Sequence, residues 1–204
     1  MATRLYLYDT QNNGIGSTYR DMHSTVPTSG AASYVTATTA DGTEIQVTTT
    51  SGGAIRQWVS GRVPAGGFTL TTATAAVDAG ESNMAANVGG RARIFKRTSD
   101  GTETELGGGP FDDGVEWPST GTNEHTWTAN VTDTAFAEND RILLKLYLTN
   151  VGTMGGGHTG SIFAGFLSVA LNTYLEIAEN VTFKSEVDSL PIFGTRPRIL
   201  KRRF

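Results

Sequence analysis

Three histidines, twenty carboxylates and one glycine-rich loop are the residues of this chain whose chemistry is worth testing against their spacing. His23, His125 and His158 are far apart, and none has a partner at a metal-ligand spacing such as i, i+4. They read as structural, and no metal site follows. Asp112-Asp113-Gly114-Val115-Glu116 gathers three carboxylates whose hard oxygens suit Ca²⁺, but the twelve-residue calcium-loop spacing is missing, so the segment reads as a solvated acidic loop. Gly155-Gly156-Gly157-His158-Thr159-Gly160 lacks the Lys that a phosphate loop needs and reads as a flexible loop tip. No Gly-x-Ser-x-Gly signature is present, there is no cysteine, and no local motif singles out a carboxylate pair for glycoside hydrolysis. The residues ask for neither catalysis nor a cofactor, and the chain reads as non-enzymatic.

Trp58, Trp117 and Trp127 are the candidates for a sugar-stacking platform. Trp127 reads as core, whereas Trp117, in an irregular stretch, is the one to test. Asn130-Val131-Thr132 and Asn180-Val181-Thr182 match the glycosylation acceptor pattern, but Val131 falls on an expected core face and no secretory leader is read at the amino terminus. The end of the chain departs most from the average. Arg196, Arg198, Lys201, Arg202 and Arg203 place five cations in the last nine residues, interleaved with Ile199, Leu200 and Phe204 and preceded by Phe193. With a net charge of −4 overall, residues 1–193 stand at −9. Such an arm is suited to dock on an acidic partner surface, with the apolar residues supplying the burial. The overall acidity, with a pI near 5.4, argues against nucleic acid as the partner.

The elements that must carry these residues are strands. Only 38% of the 204 residues are hydrophobic, Gly is abundant, and no helix-favouring run appears. Asp41-Gly42 and Asp100-Gly101 each separate stretches that alternate apolar and polar residues, which predicts two β-hairpins with type I′ turns. Arg141 to Leu148 is the strongest strand, with Ile142, Leu144, Leu146 and Leu148 on one face and Arg141, Lys145 and Tyr147 on the other. Further strands are expected at the amino terminus, over 32–36, 43–49, 55–60, 68–77, 91–97, 102–106, 125–131, 173–177 and 181–183, and within 161–171. That last stretch is too short to span a bilayer. Residues 9–31 read as a long loop or arm, and 111–122 as an irregular crossover. The expected fold is all-β: an antiparallel β-sandwich of jelly-roll type over residues 1–183, followed by a basic extension over 184–204.

Three segments carry a resemblance: Met1-Ala2-Thr3-Arg4-Leu5-Tyr6-Leu7, the strand Gly90 to Arg97 followed by Ser99-Asp100-Gly101, and Phe136 to Leu148. Together they resemble small β-sandwich virion proteins of tailed bacteriophages. The resemblance implies a capsid cement or decoration protein, commonly trimeric, whose partners are the major capsid protein and other virion subunits. It places the chain in the virion after assembly in the host cytoplasm, with no membrane and no nucleic acid as partner. A carbohydrate-binding module or a tail or fibre component that recognises host glycans is the alternative.

Overall fold

The alternation in the sequence becomes a single hydrogen-bonded β-network in the computed structural model, which describes residues 1–11, 13–28, 32–38, 44–49, 53–165 and 172–184. Thirteen strands follow one another: β1 (Thr3–Leu7), β2 (Tyr19–His23), β3 (Ala32–Ala37), β4 (Ile45–Gln46), β5 (Gln57–Ser60), β6 (Phe68–Glu81), β7 (Val88–Arg97), β8 (Glu103–Glu105), β9 (Phe111–Asp112), β10 (Asn123–Phe136), β11 (Arg141–Asn150), β12 (Thr159–Ala164) and β13 (Tyr174–Ile177). Among the described residues the only helix is one 3₁₀ turn, Met84–Ala86. The strands are ordered β3-β12-β6-β13-β1-β2-β5-β11-β7-β8, with β10 on β6, β4 on β11 and β9 on β7.

Long strands organise the short ones. One edge of β6 takes β10 from Phe68 to Ala79, and the other is shared by β13 opposite Ala73–Ala76 and β12 opposite Asp78–Glu81. Likewise β11 runs its full length along β7, while β5 and β4 share its other edge. All pairs are antiparallel except β2 with β5, so the sheet is mixed.

Period-two patterning determines which side chains go inward. Ile142, Leu144, Leu146 and Leu148 are all buried, as the alternation of β11 predicts, and Trp127, Ala129 and Val131 are buried on β10. Opposite Trp127 and Ala129 on β6 stand Ala75 and Ala73. Strands remote in the order meet across this core: Tyr34 of β3 packs edge-on against Trp58 of β5, ring centroids 5.2 Å apart. A Cβ on Gly90 of β7 would lie 3.0 Å from both Trp117 and Trp127, so glycine is what lets β7 approach the two indoles. The sheet therefore doubles over on itself, with its apolar side enclosed.

The outer side of β7 and β11 is an ion-pair ladder. Arg91 bonds Glu44 and Asp112, Arg93 bonds Glu44 and Glu105, and Glu103 accepts from Arg97 at 2.9 Å, Lys145 at 3.0 Å and the Tyr19 hydroxyl at 2.7 Å. Burial works to raise the Glu44 carboxyl pKa, yet hydrogen bonds from Arg93 and Arg91 hold it below its ordinary value.

Several expectations are corrected. The Asp100-Gly101 hairpin forms between β7 and β8, but only Gly101 has positive φ, at 95°, and Gly101 N–H bonds Thr98 O while Thr98 N–H bonds Thr102 O. This is a three-residue loop closed by a glycine bulge, not a type I′ turn, and the Asp100 carboxylate serves by accepting from Thr102 N–H. The Asp41-Gly42 turn lies outside the described residues. Its flanks do not form a hairpin with each other, because β3 pairs with β12 and β4 with β11. The expected loop 9–31 contains β2, inserted between β1 and β5. The segment 181–183 is not a strand, and among the described residues only the single bridge of Lys184 to Arg62 follows β13. Nor is Gly155 to Gly160 a loose tip: Gly155 N–H bonds Ala86 O, and its carbonyl accepts from the Thr38 hydroxyl.

Candidate functional site

Polar side chains that an amphipathic strand would turn to solvent are instead buried where β1, β2, β5 and β11 end together. There they line a cleft of about 530 Å³. Asp21, in the middle of β2, is 3% exposed. Its carboxylate accepts from the Thr10 hydroxyl at 2.7 Å and from Asn13 Nδ2 at 2.8 Å, while its backbone bonds Tyr8 and Thr10. These bonds tie Tyr8, Thr10 and Asn13 to β2. Arg141, the first residue of β11, is 6% exposed and donates from Nη1 to Ser60 O at 2.9 Å. His23 places Nε2 3.9 Å from Asp21 Oδ2, and its ring meets Tyr8 edge-on at 4.9 Å. Phe183 and Lys184 complete the wall. Lys184 forms an ion pair with Glu138 at 2.5 Å, and its backbone N–H bonds Arg62 O. The cleft thus combines a buried carboxylate, a buried guanidinium and an imidazole with the last described residues of the chain.

A second polar group lies at the far end of β10. His125 Nδ1 is 2.8 Å from Asp113 Oδ2, with both side chains at least nine-tenths buried, and the Trp117 ring lies 6.2 Å from the imidazole. Two features unrelated in sequence are thereby brought together within an acidic segment that is otherwise exposed, as expected, at Asp112, Gly114, Val115 and Glu116, although Asp112 also pairs with Arg91. Twelve residues separate Asp113 from His125, and no local spacing rule picks them out. The contact is one of ion-pair distance without hydrogen-bond geometry, and neither Asp113 Oδ2 nor His125 Nε2 has a hydrogen-bond partner among the described residues.

Trp117 is 1% exposed, and Trp58 and Trp127 are buried too, so none of the three presents a ring for stacking on a sugar. Val131 is buried, as expected, within its acceptor pattern. His158 lies on another strand junction, where its backbone N–H bonds the Thr38 hydroxyl. Phe193, Arg196, Arg198, Ile199, Leu200, Lys201, Arg202, Arg203 and Phe204 all lie outside the described residues.

Beside this group Asp78 is fully buried on β6, and neither carboxylate oxygen meets hydrogen-bond geometry with a described partner. Burial raises its pKa above the ordinary aspartate value, and nearby Thr122 and His125 offset that only in part. A raised folded-state pKa gives a stability contribution that is complete below the unfolded pKa and lost as pH rises through the folded one. Asp78→Asn, which cannot ionise, is therefore expected to gain stability relative to the wild type as pH is raised from 4 to 7. Urea midpoints across that range measure the effect, and a pH-independent difference would remove Asp78 as its source.

No family model matches the chain, and no curated protein matches it. Among solved structures it is similar in fold to a CocE/NonD family hydrolase from Staphylococcus aureus, with a TM-score of 0.57 and 10% identity over 89% of this chain and 37% of that one. An aminopeptidase from a marine sediment archaeon, Thaumarchaeota archaeon, gives a TM-score of 0.57 and 12% identity over 89% and 37%. An alpha-amino acid ester hydrolase gives 0.51 and 7% over 89% and 36%. The chain spans little more than a third of the length of these structures, and at such identities the likeness is one of fold.

Proposed function

We propose that the chain is a non-enzymatic structural protein of a tailed-bacteriophage virion, a jelly-roll β-sandwich of the cement or decoration type that attaches to the head shell through its C-terminal arm. The doubled-over sheet supports the sandwich architecture. The observation that carries the functional reading is the root of the arm. Lys184 is bridged to Arg62 beside β5 and ion-paired to Glu138, with Phe183 packed against the core. Residues 185–204, with their five cations and interleaved apolar side chains, follow in sequence from this fastened point at the rim of the cleft. A tether fastened at its base transmits load from a partner to the folded body, which is what a cement protein has to do.

In this reading the partners are the major capsid protein or other virion subunits, the assembly is a trimer, and the protein resides in the virion. Deleting residues 194–204 is expected to leave the thermal transition unchanged and to abolish or strongly reduce occupancy on purified shells. Neutralising the five cations should slow association and flatten its salt dependence, because exposed charges steer encounter but contribute only about 0–1 kcal/mol per pair once bound. Wild-type occupancy by the truncated chain would overturn the anchor, and a monomer in sedimentation both free and after release from particles would overturn the trimer.

The close approach of buried His125 and Asp113 favours a second reading, ester or amide hydrolysis. Turnover of a nitrophenyl-ester panel above background, lost in His125→Ala, would put that reading in place of the first.

A further inference from the structure

Buried oxygen atoms without donors collect on the outer side of β6 near its end. Asp78 stands directly opposite Glu124 on β10, so the two carboxylates share one face of the sheet. The hydroxyl of Thr173 accepts from Asp78 N–H at 3.0 Å, which sets Asn172, the next residue back along the chain, beside them. Alternation places Asn172 on the side of Tyr174, and the pairing of Tyr174 with Ala76 makes this the side of Asp78. Thr122 and Gly121 lie over the same face: a Cβ on Gly80 would be 3.6 Å from Thr122 Cγ2 and 2.6 Å from Gly121 O. We propose that Asp78, Asn172, Glu124, the Thr122 hydroxyl and the Gly121 carbonyl hold a calcium ion. The inference is independent of the virion reading.

Three observations carry it. Asp78 is fully buried, and neither of its oxygens nor Asn172 Oδ1 has a hydrogen-bond partner among the described residues. Leaving such acceptors without a donor costs free energy that a bound cation would offset. The surroundings of Asp78 also fail to compensate its charge. Burial raises its pKa and Glu124 adds to the rise, while the groups that oppose it are the Thr122 side chain and His125, whose ring approaches Asp113; no Lys or Arg is among them. Finally, the donors are all hard oxygens. Zinc favours nitrogen and sulfur, and the chain has no cysteine; magnesium demands a regular octahedron and keeps much of its water. Calcium accepts about six to eight carboxylate, carbonyl and water oxygens in a flexible array. No three acidic, thiol or imidazole side chains converge on a metal position among the described residues, so the ligand set has only two formal charges. Its affinity should therefore lie at the weak end of calcium sites, about 10⁻⁴–10⁻³ M. The net charge of −4 favours the approach of a cation.

The test is titration of the full chain, first stripped with EDTA, with CaCl₂ and separately with MgCl₂, read by calorimetry, by the thermal transition and by the amide shifts of Thr122 and Thr173. Saturable binding of Ca²⁺ is expected, with a thermal midpoint that rises with its concentration and a smaller response to Mg²⁺. Asp78→Asn should weaken binding at least about tenfold, since it removes the buried charged ligand, and Asn172→Ala and Glu124→Gln should weaken it by smaller factors. The stability that Asp78→Asn gains over the wild type as pH rises should persist in EDTA and shrink or reverse in about 10 mM Ca²⁺. Glu124 is exposed, so its variant tests the site even where a change at buried Asp78 disturbs the fold. Asp133→Asn, toward the far end of β10, should bind as the wild type does. The proposal is overturned if no saturable Ca²⁺ binding occurs up to about 10 mM, if Mg²⁺ binds as tightly, if folded Asp78→Asn and Glu124→Gln both bind normally, or if Asp133→Asn weakens binding as much as they do.

Discussion

Trp58→Ala is expected to lower the stability of the fold by about 3–5 kcal/mol, the range for truncating a large aromatic in a close-packed core. The indole is fully buried on β5, a strand of only four residues. It packs edge-on against Tyr34 and donates from Nε1 to Tyr8 O at 3.1 Å, so one side chain links β5, β3 and the end of β1. Tyr34 is itself committed, with its hydroxyl bonded to the Asp9 carboxylate; burial first, and that bond second, push its pKa well above the ordinary tyrosine value. Alanine would leave a cavity at the place where the doubled-over sheet meets itself, and rigid strands on either side prevent collapse into it. Trp58→Phe separates the contributions: it keeps a ring against Tyr34 and forfeits the bond to Tyr8 O, at a cost of about 1–3 kcal/mol for the stranded carbonyl. Urea denaturation of the three proteins measures both. A loss below 1 kcal/mol for Trp58→Ala would mean that the Tyr34–Trp58 contact does not hold the two parts together.

The strands were legible in the sequence where one face is apolar, and the partners were not. Ile142, Leu144, Leu146 and Leu148 were legible as an inward set although Leu143, on the opposite face, is fully buried too, and Trp127, Ala129 and Val131 were legible in the same way. The hairpin of β7 and β8 was legible because three loop residues leave little choice of partner. The flanks of Asp41-Gly42 alternate equally well, yet β3 and β4 go to β12 and β11, more than a hundred residues further along the chain. Local pattern specifies that a strand forms, whereas its neighbour is chosen by which apolar faces can be buried together, a property of the whole sheet. The polar strand β2 is not legible in the sequence for a related reason. Tyr19-Arg20-Asp21-Met22-His23 has no apolar alternation, because the side that would be core elsewhere carries Asp21, satisfied by Thr10 and Asn13. Buried polar sites are invisible to hydrophobic periodicity, so the cleft had no signal, and the closeness of His125 to Asp113 emerged only when β9 and β10 were placed.

Asp21→Ala is the sharper probe of that hidden polar site, with an expected loss of about 3–5 kcal/mol, the range for breaking a buried charged network by removing one member. Truncation leaves the Asn13 amide and the Thr10 hydroxyl without their acceptor, and Asn13 is itself 4% exposed, so water cannot readily replace the carboxylate. Asn13 also accepts from Ile15 N–H at 3.0 Å, which makes the turn at 13–15 depend on the same contact. The effect should therefore be local as well as global. Amide exchange over residues 9–18 is expected to accelerate more than over β11, since both lost contacts lie in that segment, which then depends on the bonds of Arg20 to Asp9, Gln11 and Ser17 and of Tyr34 to Asp9. Asp21→Asn keeps one acceptor oxygen but turns an amide donor toward the Asn13 amide, so it should fall between the alanine variant and the wild type. The pairing of results decides the matter. A stability loss with uniform acceleration would make Asp21 a general core residue, whereas loss concentrated at 9–18 assigns it the task of holding Thr10 and Asn13 against β2, where Asn13 and Asp21 wall the cleft.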